Sequence, residues 1–178
     1  LNPPSGFLLA NRARLLAAAR RGPVLDLACG RGRHALLVAA WGARVVGVDR
    51  DAARLAELAA AARARRLPFD GLRADLEAPY GIPIRAGSCG AILVFRFLYR
   101  PLAPAIVRAL APGGLLLYET FTIHQRQLGH GPANPAFLLR EGELMQSFPE
   151  LRVLDTWEGL EATPAPAALA RLAALKPG

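Results

Sequence analysis

The sequence predicts an open α/β sheet, mostly parallel, with helices packed on both faces. Three observations lead there. Four short apolar runs, 24–29, 45–48, 91–95 and 115–118, do not alternate with polar residues along their length, as expected of strands buried on both faces. Helix-patterned stretches separate these runs, and strands alternating with helices build a sheet joined by crossovers. A length of 178 residues, 53% hydrophobic and 20% charged, suits a single domain spanning 1–178 with a sizeable core and excludes a disordered chain.

Taken in order, residues 6–20 read as a helix, the main part of a helical N-terminal extension over 1–22. Pro23 stands just before the first strand, where a missing N–H is tolerated. In the helix predicted over 34–41, Leu37 and Trp41 lie four apart, and Gly42 follows as its stop. After the second strand, Asp51 opens a helix with Leu55 and Leu58 on one face, and Pro68 ends it. Residues 69–75 form a weaker third strand. Beyond the fourth strand, Pro101 and Pro104 suit the first turn of a helix striped by Leu102, Ile106 and Leu110, which Pro112-Gly113-Gly114 terminates before the fifth strand. Residues 121–137 carry loop chemistry: His124, His130, Gly and Pro breaks, and Asn134-Pro135. Then 138–148 reads as helix, 151–157 as strand, and 165–175 as helix by its Ala and Leu content.

Composition narrows the functional classes. The longest stretch without a charged residue, 127–139, is 13 residues long and broken by Pro132 and Pro135, too short for a membrane span. The opening residues carry no basic segment leading an apolar core, so no secretory signal is expected and the chain reads as soluble and cytoplasmic. The net charge of +8 invites a nucleic-acid partner, but the arginines are scattered through Ala-rich helices and aromatics are only 7%. Cys29 and Cys89 have neither metal-ligand spacing nor a disulfide pattern, so no metal site is expected.

The chemistry concentrates in Val24-Leu-Asp-Leu-Ala-Cys-Gly-Arg-Gly-Arg-His34, followed by a second strand that ends on Asp49. A strand runs into a Gly-containing turn and then a helix, where an open α/β sheet binds its ligand. Gly30 and Gly32 let the backbone approach that ligand closely. Asp49 is placed to accept from two ribose hydroxyls, so the pattern points to an adenine nucleoside. Gly30-x-Gly32-x-x-Ala35 also fits the dinucleotide fingerprint. Asp26 decides against that reading, since a carboxylate there would repel a pyrophosphate but suits the ammonium and sulfonium of S-adenosylmethionine (SAM).

These residues, with Ala74-Asp75-Leu76 and Leu110-Ala-Pro-Gly-Gly114, resemble the class I SAM-dependent methyltransferases, and most of all the small bacterial tellurite-resistance type. The resemblance implies a Rossmann-like sheet of seven strands whose last strand enters antiparallel between the fifth and sixth. It therefore makes 151–157 the sixth strand and 168–175 the seventh, against the helix propensity of that segment. It also implies site residues: Asp26, Ala28, Cys29 and Gly30 around the methionine part of SAM, Asp49 with Arg50 beside it at the ribose, and Ala74, Asp75 and Leu76 at the adenine. Phe95 and Arg96 would pass the methyl donor. Ala28 departs from the glycine common at its place.

Methyl transfer from a sulfonium depends mainly on positioning, so a catalytic residue need not be visible. Arg96, Tyr99 and Arg100 after the fourth strand and Glu119, Thr120, His124 and Gln125 after the fifth line the strand ends, and Arg96, Tyr99 and His124 are the catalytic candidates; His124 could serve as a base, although a loop histidine is commonly only a surface residue. Arg96 and Arg100 could hold an anionic acceptor or the cofactor carboxylate. Residues 121–137 are a candidate acceptor lid, with Arg140 and Glu143 behind it. The expected function is SAM-dependent methylation of a small molecule, yielding S-adenosylhomocysteine (SAH). Methylation of RNA or protein, a non-catalytic SAM-binding subunit, and a nicotinamide-dependent oxidoreductase remain as alternatives. The last should carry a Tyr/Lys pair, and the one lysine is Lys176.

Overall fold

The structure is a computed structural model that describes residues 3–79, 81–162 and 165–178, so residues 1 and 2 of the predicted extension lie outside it. Seven strands form one sheet: β1 (Val24–Leu27), β2 (Val45–Asp49), β3 (Phe69–Arg73), β4 (Cys89–Phe95), β5 (Leu110–Phe121), β6 (Arg152–Glu161) and β7 (Ala167–Leu175). Their order is β3-β2-β1-β4-β5-β7-β6. β7 runs antiparallel to both its neighbours, and the other pairings are parallel. This is the Rossmann-like arrangement expected. It resolves the conflict at the C-terminus in favour of strand: inserted between β5 and β6, β7 buries both faces and gains a hydrogen-bonded ladder on each side, which overrides the helix propensity of Ala and Leu.

Successive strand residues feed two separate apolar layers, which is why the strands read as unbroken apolar runs. Leu25, Leu27, Ile92, Val94 and Leu116 pack towards α5 (Ala103–Ala109) and α6 (Glu143–Gln146). Val24, Ala91, Leu93, Leu115 and Leu117 pack towards α1 (Gly6–Ala10), α2 (Arg12–Ala18) and α3 (Arg33–Ala40). Along the outer part of the sheet, α4 (Ala52–Ala64) buries Leu55, Leu58 and Ala62, and Asp51 caps its first turn by accepting from the N–H groups of Ala53 and Arg54.

Three predicted helices differ from the observed ones. The helix expected over 6–20 is broken at Asn11, whose buried side chain donates to the Phe7 carbonyl and accepts from Arg14. The helix expected to reach Leu110 ends at Ala109, because Leu110 already pairs with Cys89 at the start of β5. The helix expected over 138–148 shrinks to α6. Gly142 takes a left-handed φ of 69°, and the buried Leu138 and Leu139 lead into a bridge with Thr122 instead. No helix among the described residues is long and apolar enough to cross a membrane.

Candidate cofactor and acceptor site

The sheet order turns back at β1, so the ends of β1 and β4 part and open a crevice. Two adjoining cavities occupy it, of about 740 and 300 Å³, and Ala28 lines both. The larger is bordered by Asp26, Cys29, Gly30, Phe95 and Arg96, the smaller by Asp49, Arg50, Ala74, Asp75 and Leu76. All of the residues that the motif nominated around the cofactor therefore surround one cleft. Of the catalytic candidates, only Arg96 does. Tyr99 packs beside Arg100 in a small crevice under α5, and His124 lines a different cavity with Glu158 and Leu160.

The turn after β1 is built from left-handed residues: Ala28 at φ 52°, Gly30 at 55° and Gly32 at 70°. At Gly32, which caps α3, an added Cβ would lie 2.2 Å from a Leu58 methyl, so glycine is needed for space as well as conformation. At Gly30 an added Cβ would meet nothing within 4 Å, so this stretch of backbone faces open cavity. Asp49 holds the turn in place. Its Oδ2 accepts from the Gly30 N–H at 2.8 Å, its Oδ1 from the Asp51 N–H at 3.0 Å, and its carbonyl from the Ala74 N–H at 3.0 Å. One acid thus ties together the ends of β1, β2 and β3.

Asp26 is only 2% exposed, and among the described residues its Oδ2 has no hydrogen-bond partner. Burial pushes its carboxyl up to about 7; the Ala35 N–H and Arg33 oppose the shift, and Asp49 adds to it. Cys29 is likewise pushed upward, by burial and then by Asp26 and Asp49, so it is a thiol and not a thiolate nucleophile. His34 is buried against Phe95, ring centroids 4.0 Å apart, and burial with Arg33 and Arg96 nearby holds it down at about 3. It is neutral, and its Nε2 accepts from the Ser5 N–H at 3.2 Å.

A buried charge layer underlies the larger cavity; of its members the sequence nominated only Arg96 and Glu119, as strand-end candidates. Glu119 is fully buried; its Oε2 accepts from Ser5 Oγ at 2.8 Å and from Arg171 Nε at 2.7 Å. Its Oε1 lies 3.5 Å from Arg96 Nε. Arg171 continues the chain to Glu161 and stacks over Trp157. Ser5 and Arg171 belong to no motif and lie far from Glu119 in sequence, so no local signal announces their part in the layer. Phe97 and Phe137 stand beside Asp75 in the smaller cavity, and His130 and Gly131, within the segment expected as a lid, form the rim of the larger. Gln125 fixes that rim: its Nε2 donates to the His130 carbonyl and its Oε1 accepts from the Ala168 N–H, both at 2.9 Å.

Arg100 turns away from the cleft. It pairs with Glu143 and donates to the carbonyls of Ala136 and Leu138, while Glu143 also accepts from the Arg140 N–H at 2.8 Å. These bonds hold Glu143 down at about 2 and staple residues 136–143 to the start of α5.

The seven-stranded order β3-β2-β1-β4-β5-β7-β6 with an antiparallel β7 is the Rossmann-like fold of the SAM-dependent methyltransferases. Residues 24–114, slightly more than half of the chain, match the family model described as a methyltransferase domain, and the chain belongs to that family, which draws its methyl group from SAM. Its fold is similar to that of the [4+2]-cyclase SpnF, at 19% identity and a TM-score of 0.71 over 99% of this chain and 84% of that one. It is also similar to geranyl diphosphate C-methyltransferase from Streptomyces coelicolor A3(2), solved with Mg2+, geranyl diphosphate and SAH (16% identity, TM-score 0.68, covering 94% and 80%). TehB from Haemophilus influenzae is a third (22% identity, TM-score 0.69), with 92% of this chain spanning 61% of TehB. No curated protein sequence matches the chain.

Proposed function

We propose that the chain methylates a small molecule bound in the larger cavity, next to SAM lying along both. The observation that carries this reading is Asp26, a buried carboxylate with an unpartnered oxygen beside the turn, which suits an ammonium and would repel a phosphate. Asp49 would accept from the ribose hydroxyls with the lone pairs its two backbone bonds leave, and Arg50 would border that sugar. Ala74, Asp75 and Leu76 would meet the adenine, with Phe97 and Phe137 as apolar flanks. The backbone of Ala28, Cys29 and Gly30 would follow the methionine arm, and Phe95 and Arg96 would border the donor methyl.

When bound, SAM supplies a methyl carbon whose bond to sulfur breaks as the acceptor's electron pair forms the new bond, leaving the pair on sulfur in SAH. The chain's share is to hold both partners at near-attack distance and keep water out. Residues 121–137 would act as the acceptor lid, with His130 and Gly131 at its rim. The +8 charge does not favour an RNA acceptor, since the arginines are scattered through Ala-rich helices and not gathered into one stripe. Small-molecule acceptors in related structures support the choice.

The test is a thermal-shift titration with SAM, SAH, NAD and NADP. A ligand at about 100 times its dissociation constant stabilises the fold by roughly 2.7 kcal/mol. Stabilisation by SAM and SAH alone, lost in Asp49→Ala, is the expected result. Stabilisation by the nicotinamides instead would refute the assignment, and SAM binding without turnover across an acceptor panel would make the chain a non-catalytic binding subunit.

A further inference from the structure

We infer that the acceptor is a small organic anion and that Arg96 is the residue that docks its negative group; this rests on the methyltransferase reading above. Three arginines, Arg31, Arg33 and Arg96, border the larger cavity, and the one acid among its described lining residues is Asp26. Bound SAM would add an ammonium, a sulfonium and a carboxylate, a net positive charge. Asp26 balances the ammonium, and Arg31 and Arg33, at the start of α3, are the cations nearest the turn for the carboxylate. Arg96 is then left facing the acceptor space with only a long contact to Glu119, a carboxylate it shares with Arg171, and the sulfonium faces it with no acid of its own.

Arg96 itself is built for such a contact. Its guanidinium lies 4.5 Å from the centre of the Phe121 ring, and its side chain is only 28% exposed. Among the described residues the side chain makes no hydrogen bond; its contact with Glu119 is a long one at 3.5 Å. Ser5 and Arg171 occupy Oε2 of Glu119, while its Oε1 faces only the Arg96 Nε edge and aims the side chain, leaving the two terminal nitrogens of the guanidinium for a carboxylate or phosphate. The backbone supports a functional role: Arg96 holds a left-handed φ of 61°, a conformation that glycine or asparagine would adopt more easily. Phe95 and Phe121 on either side suit an apolar body. A cavity of about 740 Å³ leaves room for such a molecule beside the methionine arm.

The experiment is calorimetric titration of the SAH-saturated protein with benzoate and phenyl phosphate, with benzamide and benzyl alcohol as uncharged counterparts. Benzoate, phenyl phosphate or both should bind at least about tenfold more tightly than the neutral molecules, consistent with hydrogen bonds to a charged group. Which of the two binds better distinguishes a carboxylate from a phosphate acceptor. Arg96→Met should weaken the acids at least about tenfold more than it weakens SAH, and Arg96→Lys should restore part of the loss. Equal binding of acids and neutral analogues overturns the inference, as does failure of both acids to bind at millimolar concentration. Equal losses of SAH and acid in Arg96→Met overturn it too, by assigning Arg96 to the cofactor carboxylate. If SAH does not bind the wild-type protein, the methyltransferase reading fails by itself, and the same titrations on the unliganded protein still decide the role of Arg96.

Discussion

Cofactor binding should titrate close to neutrality because Asp26 must lose a proton to meet an ammonium. Its carboxyl is buried and pushed up from 3.8 to about 7. About half of the protein then carries it ionised at pH 7 and about 3% at pH 5.5, so the SAH dissociation constant should rise about 15-fold between those values. The ligand's α-amino group, ordinarily near 7.7–8.0, remains mostly protonated over this interval. His34, held at about 3, stays neutral and contributes nothing there. Calorimetry in two buffers of different ionisation enthalpy counts the protons released on binding: close to one at about pH 5.5 and about half at pH 7. Asp26→Asn should bind weakly with no dependence on pH in this interval. Constant wild-type affinity without proton release would refute the buried-carboxylate argument. The unliganded protein should behave in the opposite sense. A folded-state pKa above the unfolded one means that stability present at low pH is lost as pH rises from 3.8 through about 7. The loss is at most about 4 kcal/mol, and Asp26→Asn should escape it.

Other consequences follow from the same geometry. Ala28→Gly should relieve the left-handed φ of 52° and, after the larger chain entropy of glycine, raise stability by up to about 1 kcal/mol, read as a higher melting temperature. Gly32→Ala should destabilise the fold by about 2 kcal/mol or more because its Cβ collides with Leu58, whereas Gly30→Ala should cost only about 1 kcal/mol, from its left-handed φ of 55°, and lose SAH binding. The pair separates a structural glycine from a ligand-facing one in a single calorimetric comparison. Glu143→Gln should release residues 136–143 from Arg100 and speed their hydrogen exchange, at a cost of about 1 kcal/mol, since the partner arginines are partly exposed. The folded-state pKa of Glu143 is depressed to about 2, so its contribution is complete above 4.5 and disappears as pH falls from there through about 2. An unchanged exchange pattern in the variant would count against the staple.

What could be read from the sequence was what is set locally. Val24, Leu25 and Leu27, or Ala91 to Val94, are apolar on consecutive positions because helices cover both sides of the sheet. Asp26 was readable because it stands near the end of a strand that runs into a glycine-containing turn, and Asp49 because it closes the next strand. Residues 138–148 misled because their helical composition competes with a tertiary demand: Glu143 is taken by Arg100, 43 positions away, and Gly142 turns the chain. β7 could be placed only through the family resemblance, since its own composition argues for helix. The partnership of Glu119 with Ser5 and Arg171 was invisible for a related reason. Each residue is an ordinary polar side chain until the fold brings the three within hydrogen-bond distance. His124, in contrast, looked useful on the strand-end loop and faces a different cavity.

The interior place of β7 has a consequence for how the protein is made. On a ribosome the chain emerges in order, so β1 to β5 can pair with one another well before β7 exists. Until residues 167–175 leave the exit tunnel, β5 has an open edge and β6 has nothing to pair with. Arg171 arrives on that same strand, so Glu119 waits without its main cation. A nascent chain stalled before β7 should therefore be a target for chaperones and unable to retain SAH, and ligand capture should switch on abruptly once the final strand is released.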